Sequence, residues 1–216
     1  ADGYARASGK PAICMAQIIG ALNIAAGLRD AFLAHSPVIA LTGGRDPKTK
    51  FKKVYQEVDD MPAFEPVTKF NATVDDVSRF PDMLEQAFRV STSGSPGPAH
   101  LQYKGNEAQI DLEETDLEIN FSNANAQIPP HRPLCDDTIL DKALTAILSV
   151  KRPIIVAGGG AKHSKCSEEL LEFAEKLYIP VATSLNGKDL IHSTHPLSCG
   201  VVGTYSRESA NLSVKA

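Results

Sequence analysis

The sequence predicts an α/β fold: two tandem parallel-sheet domains with flanking helices. Three observations carry that prediction. Short apolar runs alternate with segments of helical periodicity along most of the 216 residues, the mark of helices layered on a parallel sheet. Glycines close two of the apolar runs, at Gly43 and Gly44 and again at Gly158 to Gly160. A stretch from Asp111 to Pro133 separates two such regions; it is acidic, then rich in Asn and Ser, then in proline, with little apolar periodicity.

Taken in order, ADGYARASGKP has no initiator Met and reads as the end of a helix running into a strand. Pro11 to Ala16 is a buried-strand candidate ended near Gly20, and Ala21 to Leu33 a helix rich in Ala and Leu. Pro37 to Thr42 is the next strand, closed by glycines that adopt backbone angles a Cβ would resist. After a polar loop, Phe80, Leu84, Ala87 and Phe88 recur at helical spacing, Ser93 to Gly97 stops that helix, and Pro98 to Tyr103 is a strand. Beyond the linker, Ile139, Leu140, Ala143, Leu144, Ile147 and Leu148 mark one helix face, and Pro153 to Ala157 is a strand entering the triple glycine. Ser167 to Tyr178 is a helix with Leu170, Leu171, Ala174 and Leu177 inward, and Ile179 to Ala182 a short strand. The second region reads as α/β too, and as incomplete.

Composition narrows the function classes. With 43% hydrophobic and 22% charged residues, a formal charge of -4 and no basic cluster beyond Lys48 to Lys53, nucleic acid is excluded as the main partner. KTKFKK reads as a solvated loop. No apolar run approaches the ~20 residues of a membrane span, and no signal peptide is visible. Cys14, Cys135, Cys166 and Cys199 form no C-x-x-C pair, so reduced, mostly buried thiols and a cytoplasmic setting are expected. His192 and His195 make H-x-x-H on a proline-flanked stretch without a carboxylate at helical spacing, a poor start for a zinc site that normally needs three or four ligands.

Three motifs can carry chemistry. Gly158, Gly159 and Gly160 lie between strand and helix, where bare N–H groups can cradle a phosphate; a tight turn with no ligand fits the same spacing. His163 stands where the third glycine of G-x-G-x-x-G would be, and Ala182, Thr183 and Ser184 offer no ribose-binding carboxylate, which argues against a nicotinamide dehydrogenase. Tyr55 to Pro62 brings Glu57, Asp59 and Asp60 into one loop, able to share protons, bind a cation or simply face solvent. Lys104 directly follows a strand, at the carboxyl edge where α/β sheets gather ligands; an ordinary exposed lysine is the alternative.

Together, ADGYARASGKP, GALNIAAGLRDAFLAHSPVIALTG, YQEVD, PVTKF, SGSPGPAHLQY, RPIIVAGGGA, IPVATSLNGKDLI and HPLSCGVVG, in this order, resemble the thiamine-diphosphate-dependent 2-oxo acid enzymes of the acetolactate synthase type. The resemblance implies that residues 1–112 are the later part of a pyrimidine-binding domain, 113–130 a linker and 131–216 most of a central domain. A diphosphate-binding domain, with the Gly-Asp-Gly motif that holds Mg²⁺, and the catalytic glutamate just ahead of ADGYAR would lie outside this stretch. No catalytic residue is therefore expected within it, and the stretch alone is expected to be inactive.

Such enzymes use the thiazolium ring as an electron sink for decarboxylating a small 2-oxo acid, after which the two-carbon unit passes to a second carbonyl or is protonated. The resemblance assigns Gly20, Asn23 and Gln56 to thiamine diphosphate, and Tyr55, Gln56 and Lys104 to substrate, Tyr55 replacing the usual Phe. Gly20 and Asn23 would belong to a loop over the cofactor, where Ile18 and Ile19 replace a glycine and a proline and would narrow it. Gly158, Gly159, Gly160, Thr183 and Gly203 match the region that holds FAD or ADP in some relatives. A homodimer or homotetramer is implied. A decarboxylase of the benzoylformate or oxalyl-CoA type, or a non-catalytic relative serving as a binding module, are the alternatives.

Overall fold

The computed structural model describes residues 1–105 and 121–216, which form two compact units, Ala1–His131 and Arg132–Ala216. The first holds a four-stranded parallel sheet in the order β1-β2-β4-β3. Its strands are β1 (Ala12–Ala16), β2 (Val38–Gly43), β3 (Phe70–Val74) and β4 (Ala99–Tyr103). Helix α1 (Asp2–Ser8) precedes the sheet, and α2 (Ile18–Leu33), α3 (Met61–Phe64) and α4 (Phe80–Thr92) complete the unit. The expected strands and helices of this unit lie within a residue or two of these bounds except that α2 starts earlier; β3 and α3 fall in the stretch that the sequence reads as a polar loop.

Strand periodicity explains the two-sided packing. Every residue of β2 is buried; Val38 and Ala40 face a core with Ala21, Ala25, Leu28 and Ala31 of α2, while Ile39 and Leu41 face another with Ala87 of α4. Alanine at the α2 contacts lets the helix lie close to the sheet. On the edge strand β1, Ala12 is buried and Met15 is 67% exposed. The string ADGYAR has a structural use: Arg6 bonds Asp2 one turn back in α1 and reaches Asp30 of α2 at 2.6 Å. Gly9, at φ 64, ends α1 in the left-handed conformation that a glycine accepts.

The region expected as a loop at Ile18 to Asn23 is helical. Gln17 caps α2 by accepting the N–H of Ile19 at 3.1 Å, and Ile18 is buried in the first turn. Gly20 sits in that same turn, against β1; a Cβ there would stand 2.7 Å from that of Ala16. Ile18 and Ile19 therefore narrow no loop, because helix capping at Gln17 absorbs them into α2.

Residues 106–120 lie outside the described residues, 113–120 of the expected 113–130 linker among them, and the rest of that linker packs on the first unit. Phe121 sets its ring edge-on to Phe88 at 4.9 Å, and Asn125 and Ile128 are buried. The second unit has a three-stranded parallel sheet, β5 (Ile155–Ala157), β6 (Val181–Thr183) and β7 (Ser198–Val201), in that order. The unit's helices are α5 (Asp137–Ser149), α6 (Gly159–His163), α7 (Ser167–Leu177) and α8 (Glu208–Lys215). Leu170, Leu171 and Ala174 of α7 pack inward, as their spacing predicts. The apolar stripe of α5 does not: Ile139 is 59% and Leu148 68% exposed, and α5 has no buried residue.

The cysteines also depart from expectation. All four are free, yet Cys135 is exposed and Cys14, Cys166 and Cys199 only half-buried. No helix among the described residues is long and apolar enough to cross a membrane.

Candidate functional site at the carboxyl edges of the two sheets

In the first unit the chain leaves β2 toward the α2 face, where Phe64 joins that core, whereas the chain described after β4 resumes beside α4. Open α/β sheets gather ligands at the carboxyl ends of their strands. At this edge the Gly44 N–H donates to the Gly105 carbonyl at 3.0 Å, carrying the β2–β4 pairing past the ends of the strands. Gly44 is required by close approach: a Cβ there would stand 2.4 Å from Cδ of Gln102.

Two bonds tie the loop after β2 to this edge. Gln102 Nε2 donates to Asp60 Oδ1 at 2.6 Å, and Arg45 pairs with Asp59 at 3.1 Å. Asp60 is 2% exposed, and its Oδ2 is buried with no hydrogen-bond partner among the described residues. Burial raises its pKa above the ordinary carboxylate value, the Gln102 bond opposing. Gln56, on the same loop and at φ 64, likewise has a buried Oε1 without a partner. Two buried acceptors on this one loop lack donors among the described residues, a chemistry that suits a ligand bearing N–H groups.

Beneath the edge lies a polar set that sequence reasoning missed. His100 is fully buried, stacked on Phe64 with ring centroids 3.5 Å apart and planes 7° from parallel. Its Nδ1 meets Asn71 Oδ1 and its Nε2 meets Thr42 Oγ1, each at 2.7 Å. Asn71 Nδ2 donates to the Met61 carbonyl at 2.9 Å, which fixes Oδ1 as acceptor. His100 Nδ1 therefore carries the hydrogen, and with burial keeping the ring neutral its Nε2 accepts from the Thr42 hydroxyl. Burial lowers its pKa to about 3. The available signal was AHLQY, whose His and Gln alternate with apolar residues in a strand buried throughout.

The site residues read from the sequence fall on three neighbouring strand ends. Gly20 follows β1, the Gln56 loop follows β2, and Lys104 follows β4, near Asp76. Asn23 lies one turn along α2 and is exposed, and Tyr55 is 83% exposed.

In the second unit, registered pairing sets Ala157, Thr183 and Val201 side by side, so Gly158 to Gly160, Thr183 and Gly203 share one carboxyl edge. The glycines divide by use. Gly159 packs on Asn186, 3.1 Å from where its Cβ would be, and a Cβ on Gly187 would meet the Ala157 carbonyl at 2.7 Å. Gly160 and Gly203, the latter at φ 116, face open space. Those two leave room for backbone to approach a phosphate-bearing ligand. His195 Nε2 meets Glu175 at 3.0 Å and His192 Nδ1 meets Thr194, so the H-x-x-H histidines have protein partners. No group of three metal-ligating side chains occurs among the described residues.

Family comparison accords with this two-unit layout. Residues 1–63 match the model described as the N-terminal TPP binding domain of thiamine pyrophosphate enzymes, and residues 140–216 the model of their central domain. The chain belongs to the thiamine pyrophosphate enzymes. Within that family it is 36% identical, over 99% of its own length and 36% of the other's, to a Methanocaldococcus jannaschii protein named as a probable acetolactate synthase large subunit. It is 33% identical to Arabidopsis thaliana chloroplastic acetolactate synthase, over its whole length and 32% of that protein. This thiamine pyrophosphate enzyme chain thus spans about a third of the length of the curated relatives it matches. An X-ray structure from Mycobacterium smegmatis, described as a thiamin diphosphate-dependent enzyme, shares the fold: TM-score 0.73 at 24% identity, over 94% of this chain and 38% of that one.

Proposed function

We propose that the full-length protein carrying this chain decarboxylates a small 2-oxo acid with thiamine diphosphate and transfers the two-carbon unit to a second carbonyl, as an acetolactate synthase does. The observation that carries the reading is the match to acetolactate synthase large subunits along 99% of the chain. When bound, thiamine diphosphate supplies the electron sink for decarboxylation. This chain's part is to bind and orient. Gly20, Asn23 and Gln56 are assigned to the pyrimidine side, where Oε1 of Gln56, without a partner among the described residues, offers an acceptor to a ring N–H. Lys104 contributes a cation to the carboxylate of the 2-oxo acid, and Tyr55 a wall beside it.

Gly158, Gly159, Gly160, Thr183 and Gly203 are assigned to FAD or ADP, supported by the open space at Gly160 and Gly203. Mg²⁺ is expected with a diphosphate-binding domain beyond this stretch, and a homodimer or homotetramer in the cytoplasm as the working form. A decarboxylase reading is favoured by one feature: Ile19 and Leu22, at the start of α2, are 54% and 47% exposed and would suit a bulkier apolar substrate.

The test is to incubate full-length protein with pyruvate, thiamine diphosphate and Mg²⁺, following acetolactate and aldehyde separately while recording visible absorbance for flavin. Acetolactate supports the carboligase, aldehyde the decarboxylase. Failure of thiamine diphosphate to raise the melting temperature would sink both, since a specific ligand stabilises the folded state by mass action.

A further inference from the structure

The chain between β2 and α3 reaches the carboxyl edge with little apolar anchoring: Phe51 is 80%, Tyr55 83% and Val54 42% exposed. Three of its non-glycine residues, Phe51, Lys53 and Gln56, have left-handed φ values of 70, 52 and 64. Side chains disfavour that region, and such residues persist where neighbouring bonds over-determine them. The bonds converge on Glu57. Its Oε1 accepts the Phe51 N–H at 2.7 Å and its Oε2 accepts the Val54 N–H at 3.2 Å. Its own N–H donates to the Val54 carbonyl at 3.0 Å. One carboxylate thus holds two backbone donors through charge-assisted bonds, across the segment that contains two of the three left-handed residues and immediately beside the third.

We propose that Glu57 is a positioning residue: its carboxylate clamps residues 51–57 and so presents Gln56 to the site. The role at the site rests on the reading in "Proposed function"; the clamp itself does not. Two acceptor oxygens are needed at once. A glutamine retains one and turns an NH₂ toward the other backbone N–H, and an aspartate is one methylene too short to span both.

The loop also carries its own reporter, because Lys48, Lys50, Lys52 and Lys53 are trypsin sites. In full-length protein, Glu57→Gln should speed cleavage after these lysines roughly tenfold, as a locally opened segment does. It should raise KM for the 2-oxo acid about fivefold while leaving kcat within about twofold, the pattern of lost ground-state positioning. Glu57→Asp should fall between Gln and the parent in both readouts, whereas Gln56→Ala should raise KM with cleavage unchanged. Unchanged cleavage in Glu57→Gln overturns the clamp. Faster cleavage with an unchanged KM overturns the positioning role. A parent protein with no activity on 2-oxo acids sinks the proposed function instead, and the cleavage rates then decide the clamp alone.

Discussion

Asp60 and Gln102, 42 residues apart in the chain, meet at 2.6 Å under the carboxyl edge of the first sheet, the amide of Gln102 donating to one oxygen of a carboxyl whose other oxygen has no partner among the described residues. The contact couples the loop that bears Gln56 to the central strand β4. It also places a titratable group where water does not reach.

Asp60→Asn should stabilise the protein at neutral pH. Burial raises the folded-state pKa of Asp60, so the folded form prefers the proton; stability is greatest below the unfolded value near 4 and is lost as pH rises through the folded value. Asparagine keeps an acceptor for Gln102 and removes the charge. The variant should gain about 1 kcal/mol at pH 8, with the gain shrinking toward pH 4. Urea unfolding at several pH values measures this, and a gap independent of pH would refute an abnormal titration of Asp60.

His100 has the opposite sign. Its pKa is lowered to about 3 by burial, so its contribution is complete above the unfolded value near 6.5 and falls as pH drops toward the folded one. The expected loss approaches ~1.4 kcal/mol per pH unit below 6.5. His100→Phe should abolish that slope yet cost roughly 2–4 kcal/mol at pH 7, because Thr42 and Asn71 both lose a buried partner. Carbon-resolved NMR of the imidazole should show a neutral ring at pH 5.

Gly44→Ala should cost about 1–3 kcal/mol, since its Cβ would lie 2.4 Å from Gln102 Cδ and push the amide off Asp60. In a double-mutant cycle with Gln102→Ala the two losses should be strongly non-additive, the coupling exceeding about 0.5 kcal/mol. Additive losses would mean that the glycine serves backbone geometry and not the approach of Gln102.

Where local rules govern, sequence and structure agree. The apolar runs at Val38 to Thr42 and Ala99 to Tyr103 are strands because every neighbour along them is buried. The first turn of α2 reads as a loop by resemblance yet folds as helix, because capping by Gln17, whose side chain takes the Ile19 N–H, outweighs the weak helix preference of two isoleucines. The stripe on α5 shows the limit of periodicity: it marks a helix correctly at Asp137–Ser149 but does not say what the stripe packs on, and Leu148 stays 68% exposed. His100 and Gln102 were passed over as parts of a strand, since nothing in AHLQY says that their partners lie 58, 29 and 42 residues away.

The sequence by itself determined the α/β class of both units, most of their strands and helices though not β3 or β7, and the family, because these follow from near-neighbour periodicity and from strings of fixed order. Only the tertiary structure decided which polar groups are buried and what satisfies them. It joined Asp60 to Gln102, made His100 neutral between Asn71 and Thr42, and gave Glu57 two backbone donors. The physical reason is that a polar group's protonation and partners depend on the water excluded by packing from distant segments, which no local pattern encodes.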